Sequence, residues 1–261
     1  LASLRKLAES KEKIVAVVCQ PDKPRGRGQK LESCPSKKWA RENRIEIFQP
    51  EKSRNHDFVE QIRKLSPDLI VVASFGQILS QELLDIPRYG AINIHSSLLP
   101  KYRGASPIAY AILNGDKETG VTSMQIVKKL DAGPILLQRA IAIDPDDTTG
   151  TLHDKLANLG AEVLVETING IKEGTINPMP QDEGKASYAL MLTKEQGLIN
   201  WQEPAEAIWQ KVKAFTPWPA AYVGECEHLI KIWRAEPASG QGEPGKVLEA
   251  HNKWIEVACG K

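Results

Sequence analysis

The first two-thirds of the chain alternates short β-branched runs with segments of helical spacing, and this alternation restricts the fold more than any other feature. Residues 35–43 and 55–65 carry the spacing of amphipathic helices, and Pro35 suits a first helical turn. Continuous apolar strands separated by helices favour a parallel sheet that is covered on both faces. We therefore predict an α/β fold on a mostly parallel sheet. Its strand candidates are residues 14–19, 45–48, 69–73 and 91–95.

Composition changes after residue 176, which predicts two domains. Residues 177–185 are rich in Pro, Gly and charge, as an interdomain linker is, and most of the tryptophans follow them. We assign residues 1–176 to the first domain, 177–194 to the linker and 195–261 to a small β domain. The other predicted elements are helices at 106–113, 152–171 and 205–215, and strands at 120–127, 135–143, 220–223, 229–233 and 254–257.

The composition limits the class of protein. The chain has 261 residues, 41% of them hydrophobic, and no apolar run near the roughly 18 residues that cross a bilayer. Its four cysteines follow no metal-ligand or redox spacing, so we expect a reducing cytosolic setting and no metal. The net charge of +1 means that a polyanion must be bound by a local basic patch.

Three polar residues are candidates for catalysis. Asn93 and His95 stand two apart at the end of a predicted strand, so both side chains leave the same face. An amide donor beside an imidazole suits acyl transfer, and Asp131 in a following tight loop could orient the histidine or assist a proton. By spacing alone, a hydrogen-bonded structural pair and a turn-forming aspartate explain the same pattern.

The run AINIHSSLLPKYRG at 91–104, followed by SPI and VKKLDAGPIL, resembles the signature of the formyltetrahydrofolate-using formyltransferases. The resemblance implies a Rossmann-like doubly wound sheet, 10-formyltetrahydrofolate as the formyl donor, and catalytic roles for Asn93, His95 and Asp131. It also implies that two loops bind the folate, although core-capping loops are the alternative. Their residues are Ser97, Leu98, Leu99 and Pro100 in one, and Gln77, Ile78 and Leu79 in the other.

The motif at 91–104 does not indicate which molecule accepts the formyl group, so other segments must identify the acceptor. The sequence QPDKPRGRGQKL at 20–31 predicts a flexible basic loop able to grip phosphates, although a solvated turn is the alternative. It resembles a loop found in the family members that formylate methionyl-tRNA. The expected tRNA-binding residues are Lys23, Arg25, Arg27 and Lys30.

The second domain resembles the family's carboxyl-terminal domain, which has an OB-like β-barrel. We expect most of its tryptophans to fill a small core. An RNA contact would need one basic face. Our hypothesis for that face is Lys211, Lys213, Lys231 and Arg234.

Together these features predict transfer of a formyl group from 10-formyltetrahydrofolate to the methionine of initiator methionyl-tRNA. We expect a monomer in a bacterial cytosol or an organellar matrix. A small-molecule amine as acceptor stays open. So does an inactive folate- or RNA-binding fragment, because family members have a strand before the position of Leu1 and a barrel that continues beyond Lys261.

Overall fold

The computed structural model describes residues 1–25, 30–224 and 229–261. The helices in chain order are α1 (Ala2–Glu9), α2 (Pro35–Glu42), α3 (His56–Leu65), α4 (Gln81–Leu84), α5 (Pro107–Leu113), α6 (Thr149–Glu173) and α7 (Ala205–Ala214). The strands are β1 (Ala16–Val18), β2 (Lys23–Arg25), β3 (Lys30–Glu32), β4 (Glu46–Phe48), β5 (Ile70–Val72), β6 (Ala91–His95), β7 (Arg103–Gly104), β8 (Glu118–Gln125), β9 (Ile135–Ala142), β10 (Tyr188–Ala189), β11 (Ala221–Val223), β12 (Ile230–Ile232), β13 (Val247–Ala250) and β14 (Ile255–Val257).

The first domain has the predicted α/β architecture, but its sheet is mixed. β1 pairs with β4 and β5 pairs with β6 in parallel, as the βαβ pattern predicts. β8 runs antiparallel to both β6 and β9, within the order β5-β6-β8-β9. The segment between β8 and β9 is too short for a helical crossover, so these two strands can pair only antiparallel. The expectation of a mostly parallel sheet therefore holds for the first half of the domain alone.

The 25-residue helix α6 forms the main cover of this sheet. Its Leu164 and Ile168 pack with Ile92 of β6 and with Leu7 of α1, while Leu152 and Leu156 join a second cluster around Val121. Burial of each such side chain stabilises the fold by about 1.5–3 kcal/mol. The helix ends at Gly174, whose φ of 68° lies in the left-handed region that glycine adopts readily. Among the described residues, no helix combines the length and apolarity needed to cross a membrane.

The predicted linker lies along the first domain. We call residues 177–194 the strap. Its β10 pairs in parallel with β7, so that Tyr188 faces Arg103 and Ala189 faces Gly104. Its Met179 forms an isolated bridge to Ile135 of β9. These main-chain pairings make the strap part of the first domain's surface and not a free spacer.

The second domain is entered by α7, which packs Ile208 and Val212 against Ile199 and Ala221. β11 pairs with β12, and β13 with β14, both antiparallel. β13 was not predicted, and neither was the β2–β3 pair, where we expected only a loop. Isolated bridges join Leu198 to Tyr222 and Pro204 to Gly260. A closed barrel stays a prediction.

Candidate active site

The end of β6 carries two polar side chains on one face of the sheet. Ile92 and Ile94 of this strand pack into the cluster beneath α6, so Asn93 and His95, which alternate with them, leave the opposite face. His95 is buried and Asn93 is half-buried. Both stand at the carboxyl end of a strand, where ligands bind in open α/β sheets.

The two ring nitrogens of His95 have different neighbours. Nε2 lies 2.9 Å from the main-chain carbonyl oxygen of Tyr102. A carbonyl can only accept, so Nε2 carries the hydrogen and the neutral ring keeps its lone pair on Nδ1. Nδ1 is 3.8 Å from Oδ2 of Asp131, which is longer than a direct hydrogen bond. The main chain therefore orients the ring and directs its second nitrogen toward the carboxylate.

Two glycines allow the Asp131 carboxylate to reach this position. The main-chain N–H of Gly104 donates to Oδ2 of Asp131 at 2.8 Å. A Cβ on Gly104 would lie 2.6 Å from the Ala189 carbonyl oxygen, and one on Gly133 would lie 1.8 Å from that of Gln125. Asp131 itself has a φ of 46°, in the left-handed region. The close backbone approach explains why glycine stands at 104 and 133.

The Asn93 amide is available to a ligand. It makes no hydrogen bond with another residue that the structure describes, and no buried side-chain polar atom in those ranges lacks a partner. Its free atoms are therefore accessible. On the same strand face lies the His95 imidazole, whose Nδ1 has no hydrogen bond to the described residues and faces the Asp131 carboxylate at 3.8 Å. A free amide donor, an oriented imidazole and a carboxylate are the groups that acyl transfer requires.

The loop Ser97, Leu98, Leu99 and Pro100 is held by the sheet beneath it. The Thr122 hydroxyl donates to the Ser97 carbonyl at 2.6 Å and accepts from the Leu99 N–H at 3.1 Å. The Ser97 hydroxyl donates to the Lys101 carbonyl at 2.6 Å, and Leu99 is only 3% exposed. The side chains of Ser97 and Leu99 thus serve the loop itself, and a ligand could meet its main chain and Leu98.

The second predicted folate loop follows β5, the parallel neighbour of β6 in which Val72 pairs with Asn93. The Gln77 side chain accepts from the Ser53 N–H at 2.6 Å and donates to the Pro50 carbonyl at 3.2 Å. Leu79 packs into a core cluster, whereas Ile78 is 90% exposed. Within this loop only Ile78 presents an unpacked side chain.

The basic segment is a hairpin at the same edge of the sheet. β2 and β3 form its arms, in which Lys23 is exposed and Arg25 is in register with Lys30. The tip, with Arg27, lies outside the described residues. At the base, the Gln20 side chain donates to the Phe75 carbonyl at 2.8 Å. This contact joins the hairpin to the loop that follows β5.

A carboxylate fixes the base of the hairpin to the domain. Asp22 accepts hydrogen bonds from Lys37 at 2.6 Å and from Gln49 at 2.9 Å. The hydrogen bond from Lys37, and then that from Gln49, hold the pKa of Asp22 below its usual value. The hairpin therefore starts from a fixed point beside the candidate site.

The predicted RNA-binding face is wrong for two of its four residues. Lys213 is 9% exposed, donates to the Pro145 carbonyl at 3.0 Å and lies 3.5 Å above the Trp209 ring. Burial lowers the pKa of Lys213. Lys211 pairs with Glu203 at 2.9 Å. The side chain of Lys211 is only 16% exposed, so within the described residues both lysines are committed to contacts inside the protein.

The expectation that most of the domain's tryptophans fill a core is also wrong. Trp218, Trp233 and Trp254 are 51%, 53% and 49% exposed.

Sequence reasoning missed a buried charge next to the site. Arg103 is fully buried, and its guanidinium donates to Gln181 and Glu183 of the strap. Burial works against the charge, but hydrogen bonds with Glu183 and Tyr188 outweigh it and raise the pKa of Arg103. Arg103 and Lys129 hold the pKa of Glu183 at about 2. Arg103 and Glu183 are 80 residues apart in the chain, so the sequence alone does not predict that they pair. The only sequence signal was the place of Arg103 in the run at 91–104 that also contains Asn93 and His95.

One group of side chains in the described ranges has the spacing of metal ligands. His56, Glu60 and Glu82 have ligand atoms within 4.8 Å of one another. Arg63 pairs with both carboxylates, at 3.0 and 3.2 Å. The Arg63 guanidinium therefore already provides the positive charge that a metal ion would bring to these two carboxylates.

Comparison with known proteins defines the class to which this fold and site belong. The formyl transferase family model matches residues 2–168, and the model for the formyl transferase C-terminal domain matches residues 191–261. The chain therefore belongs to the formyltransferase family.

Its similar relatives within that family are methionyl-tRNA formyltransferases. The one from Citrifermentans bemidjiense is 49% identical over 99% of this chain and 81% of its own length. The one from Caldanaerobacter subterraneus is 48% identical over 99% of this chain and 84% of its own length.

Solved structures support the fold. The N-formyltransferase from Helicobacter canadensis aligns with a TM-score of 0.69 and 19% identity, over 98% of this chain and 90% of that one. HypX from Aquifex aeolicus in complex with tetrahydrofolic acid aligns with a TM-score of 0.64 and 20% identity, over 84% of this chain and 38% of that one.

Proposed function

We propose that the protein transfers the formyl group of 10-formyltetrahydrofolate to the amino group of initiator methionyl-tRNA. The observation that carries this proposal is the approach of Asp131 to His95, on the strand whose same face also carries Asn93. It is made in a chain about half identical, over nearly its whole length, to methionyl-tRNA formyltransferases. A formylated initiator methionine assigns the reaction to the start of translation. We further propose that the protein acts as a monomer, in a bacterial cytosol, which its bacterial relatives favour, or in an organellar matrix.

In this mechanism the methionyl amine attacks the formyl carbon directly. The new C–N bond forms as the carbonyl oxygen becomes an oxyanion. The C–N bond to the folate then breaks, and a proton moves from the amine to the departing nitrogen. No covalent enzyme intermediate is formed. The Asn93 amide, free of other hydrogen bonds among the described residues, donates to the oxyanion.

The hydrogen bond to Tyr102 restricts the part that His95 can play. Because Nε2–H is committed to that carbonyl, only Nδ1 faces the reacting atoms. A protonated ring donates from Nδ1 to the oxyanion or to Asp131, whereas the neutral ring accepts a proton there. Asp131, 3.8 Å away, takes up or passes on the amine proton.

The two substrates approach from neighbouring parts of the same edge. The main chain of residues 97–100, the Leu98 side chain and the exposed Ile78 would contact the folate, with Gln77 and Leu79 supporting that surface. The hairpin with Lys23, Arg25, Arg27 and Lys30 would bind tRNA phosphates. Its support is the fixed base at Gln20 and Asp22 next to the loop after β5. The identity to relatives that act on methionyl-tRNA favours tRNA over a small amine.

The decisive experiment measures formylation of charged initiator tRNA with 10-formyltetrahydrofolate as donor. We expect turnover by the protein and a loss of about a hundredfold to a thousandfold in kcat for Asp131→Asn. Arg27→Ala should reduce kcat/KM for the tRNA and leave the KM for the folate unchanged. Equal rates for the protein and Asp131→Asn would refute the proposed mechanism, and an unaffected Arg27→Ala would refute the role of the hairpin.

A further inference from the structure

The strap places one side chain against the loop that carries Asp131. The Nε2 group of Gln181 donates to the main-chain carbonyls of Asp131 and Gly133, both at 2.8 Å. The Sδ atom of Met124 lies 3.9 Å away. An amide nitrogen has two hydrogens, so these two carbonyls use both of them. The loop is therefore fastened on each side of Ala132.

The other end of the same amide is equally committed. Oε1 of Gln181 accepts from Nε of Arg103 at 3.0 Å and from Nη2 at 2.8 Å. Carbonyls only accept and a guanidinium only donates, so a single orientation of this amide satisfies all four contacts. The arginine that fixes it is fully buried, and Arg103 directly precedes Gly104, the donor to the Asp131 carboxylate.

We infer that Gln181 is a positioning residue for catalysis, because it holds the Asp131 loop at the distance from His95 that proton movement requires. The inference rests on the proposed function. Asp131 adopts a left-handed φ of 46°, which costs free energy in a non-glycine residue and persists only where its surroundings impose it. The two bonds from Gln181 act on the main chain of Asp131 itself and of Gly133.

The geometry of the carboxylate depends on this fastening. Within the described ranges, Oδ2 of Asp131 has one hydrogen-bond donor, the Gly104 N–H at 2.8 Å, and faces Nδ1 of His95 at 3.8 Å. A displacement of about 1 Å in a reacting group can lower the rate on the order of a hundredfold. Release of the loop therefore changes turnover while the binding surfaces of both substrates stay in place.

The test replaces Gln181 by Met, which keeps an unbranched side chain of similar length and removes all four hydrogen bonds. We expect kcat to fall about tenfold to a hundredfold, with little change in the KM of either substrate. The comparison variant is Glu183→Gln, which removes the ion pairs with Arg103 and Lys129 but leaves both hydrogen bonds from Gln181 to the Asp131 loop in place. We expect it to keep the kcat of the protein.

A double-mutant cycle separates positioning from general stability. If Gln181 acts through Asp131, Gln181→Met costs nothing further in an Asp131→Asn background. Full additivity of the two losses would overturn the inference. So would a normal kcat in Gln181→Met beside an impaired Asp131→Asn, and that outcome would leave the proposed function intact. If Asp131→Asn itself keeps normal turnover, the proposed mechanism fails and the inference fails with it.

A second variant keeps the test decisive if Gln181→Met unfolds. Gln181→Glu retains the acceptor for Arg103 and nearly the same volume, but replaces the NH₂ donor by a carboxylate oxygen that faces two carbonyls. We expect it to fold, as measured by thermal unfolding, and to lose kcat. A folded Gln181→Glu with normal kcat would contradict the role assigned to the two donated hydrogen bonds.

Discussion

Two loops flank the buried imidazole of His95, and different parts of the chain hold them. The loop at 97–100 is held by two neighbouring strands, through Thr122 of β8 and Gln138 of β9. The loop at 131–133 is fastened through Gln181, about 50 residues later in the chain. One half of the site is therefore built by the sheet, and the other depends on a segment that composition identifies only as a linker. The carboxylate proposed to move the proton therefore depends on a segment outside the motif that carries it.

The largest expected effect on turnover comes from Asn93, which lies on β6, the strand that leads into the loop at 97–100. Asn93→Ala removes a donor to the oxyanion, so kcat should fall about a hundredfold to a thousandfold. Single-turnover formyl transfer measures the loss. Asn43→Ala is the matched control, because that exposed amide donates only to the Trp39 carbonyl. Comparable rates for the two variants would contradict the role of Asn93.

A methyl group at position 133 should displace the backbone of the loop at 131–133, which Gln181 of the strap holds. A Cβ there would lie 1.8 Å from the Gln125 carbonyl oxygen, so Gly133→Ala forces the backbone apart. We expect the free energy of unfolding to fall by about 3 kcal/mol or more, and turnover to fall with it. Gly184→Ala in the strap is the control, since its Cβ would meet only the Asp182 side chain at 3.3 Å. Equal stability of the two variants would refute this account of the loop.

The sheet-held loop should respond in a different kinetic parameter. Thr122→Val keeps the side-chain shape but leaves the Ser97 carbonyl and the Leu99 N–H without their partner. The free energy of unfolding should fall by about 1–3 kcal/mol. Because the loop is proposed to bind folate, the KM for the formyl donor should rise more than kcat falls. A loss confined to kcat would contradict the assignment of folate binding to this loop and of catalytic positioning to the loop at 131–133.

The smallest expected effect is on thermal stability, and it concerns the ion pair between Glu183 of the strap and Arg103. Folding depresses the pKa of Glu183 from 4.5 to about 2, chiefly through Arg103 and then Lys129. The pair therefore contributes stability above about pH 4.5 and loses it as the pH falls through about 2. Melting temperatures of the protein and of Glu183→Gln should differ slightly at neutral pH and converge in acid. A difference that grows toward acid would have the wrong sign. The effect is small because Glu183 is more than half exposed.

Much of the first domain followed from local pattern. β6 begins and ends at the predicted residues Ala91 and His95, and α3 and α5 were also correctly predicted. The common face of Asn93 and His95 is a consequence of strand periodicity, which needs no knowledge of the neighbours. The left-handed stop at Gly174 is equally local, because only the backbone conformation decides it.

Local pattern could not predict three other features. These are the antiparallel direction of β8, the packing of the strap on the first domain, and the burial of Lys213. Each depends on which distant segment supplies a partner, and a sequence pattern gives the face of an element without its neighbour. The predicted basic face on α7 was wrong for this reason, since Lys213 contacts the Pro145 carbonyl and the Trp209 ring and Lys211 pairs with Glu203.

The sequence by itself determined the alternation of strands and helices, the strand end that carries Asn93 and His95, and the family to which the motifs point. Tertiary structure alone decided that His95 donates from Nε2 to Tyr102, that Asp131 meets Gly104, and that Gln181 fastens the loop between them. The first set follows from periodicity along one segment. The second consists of hydrogen bonds between residues 7 to 50 positions apart, whose distances are fixed only when the sheet and the strap pack together.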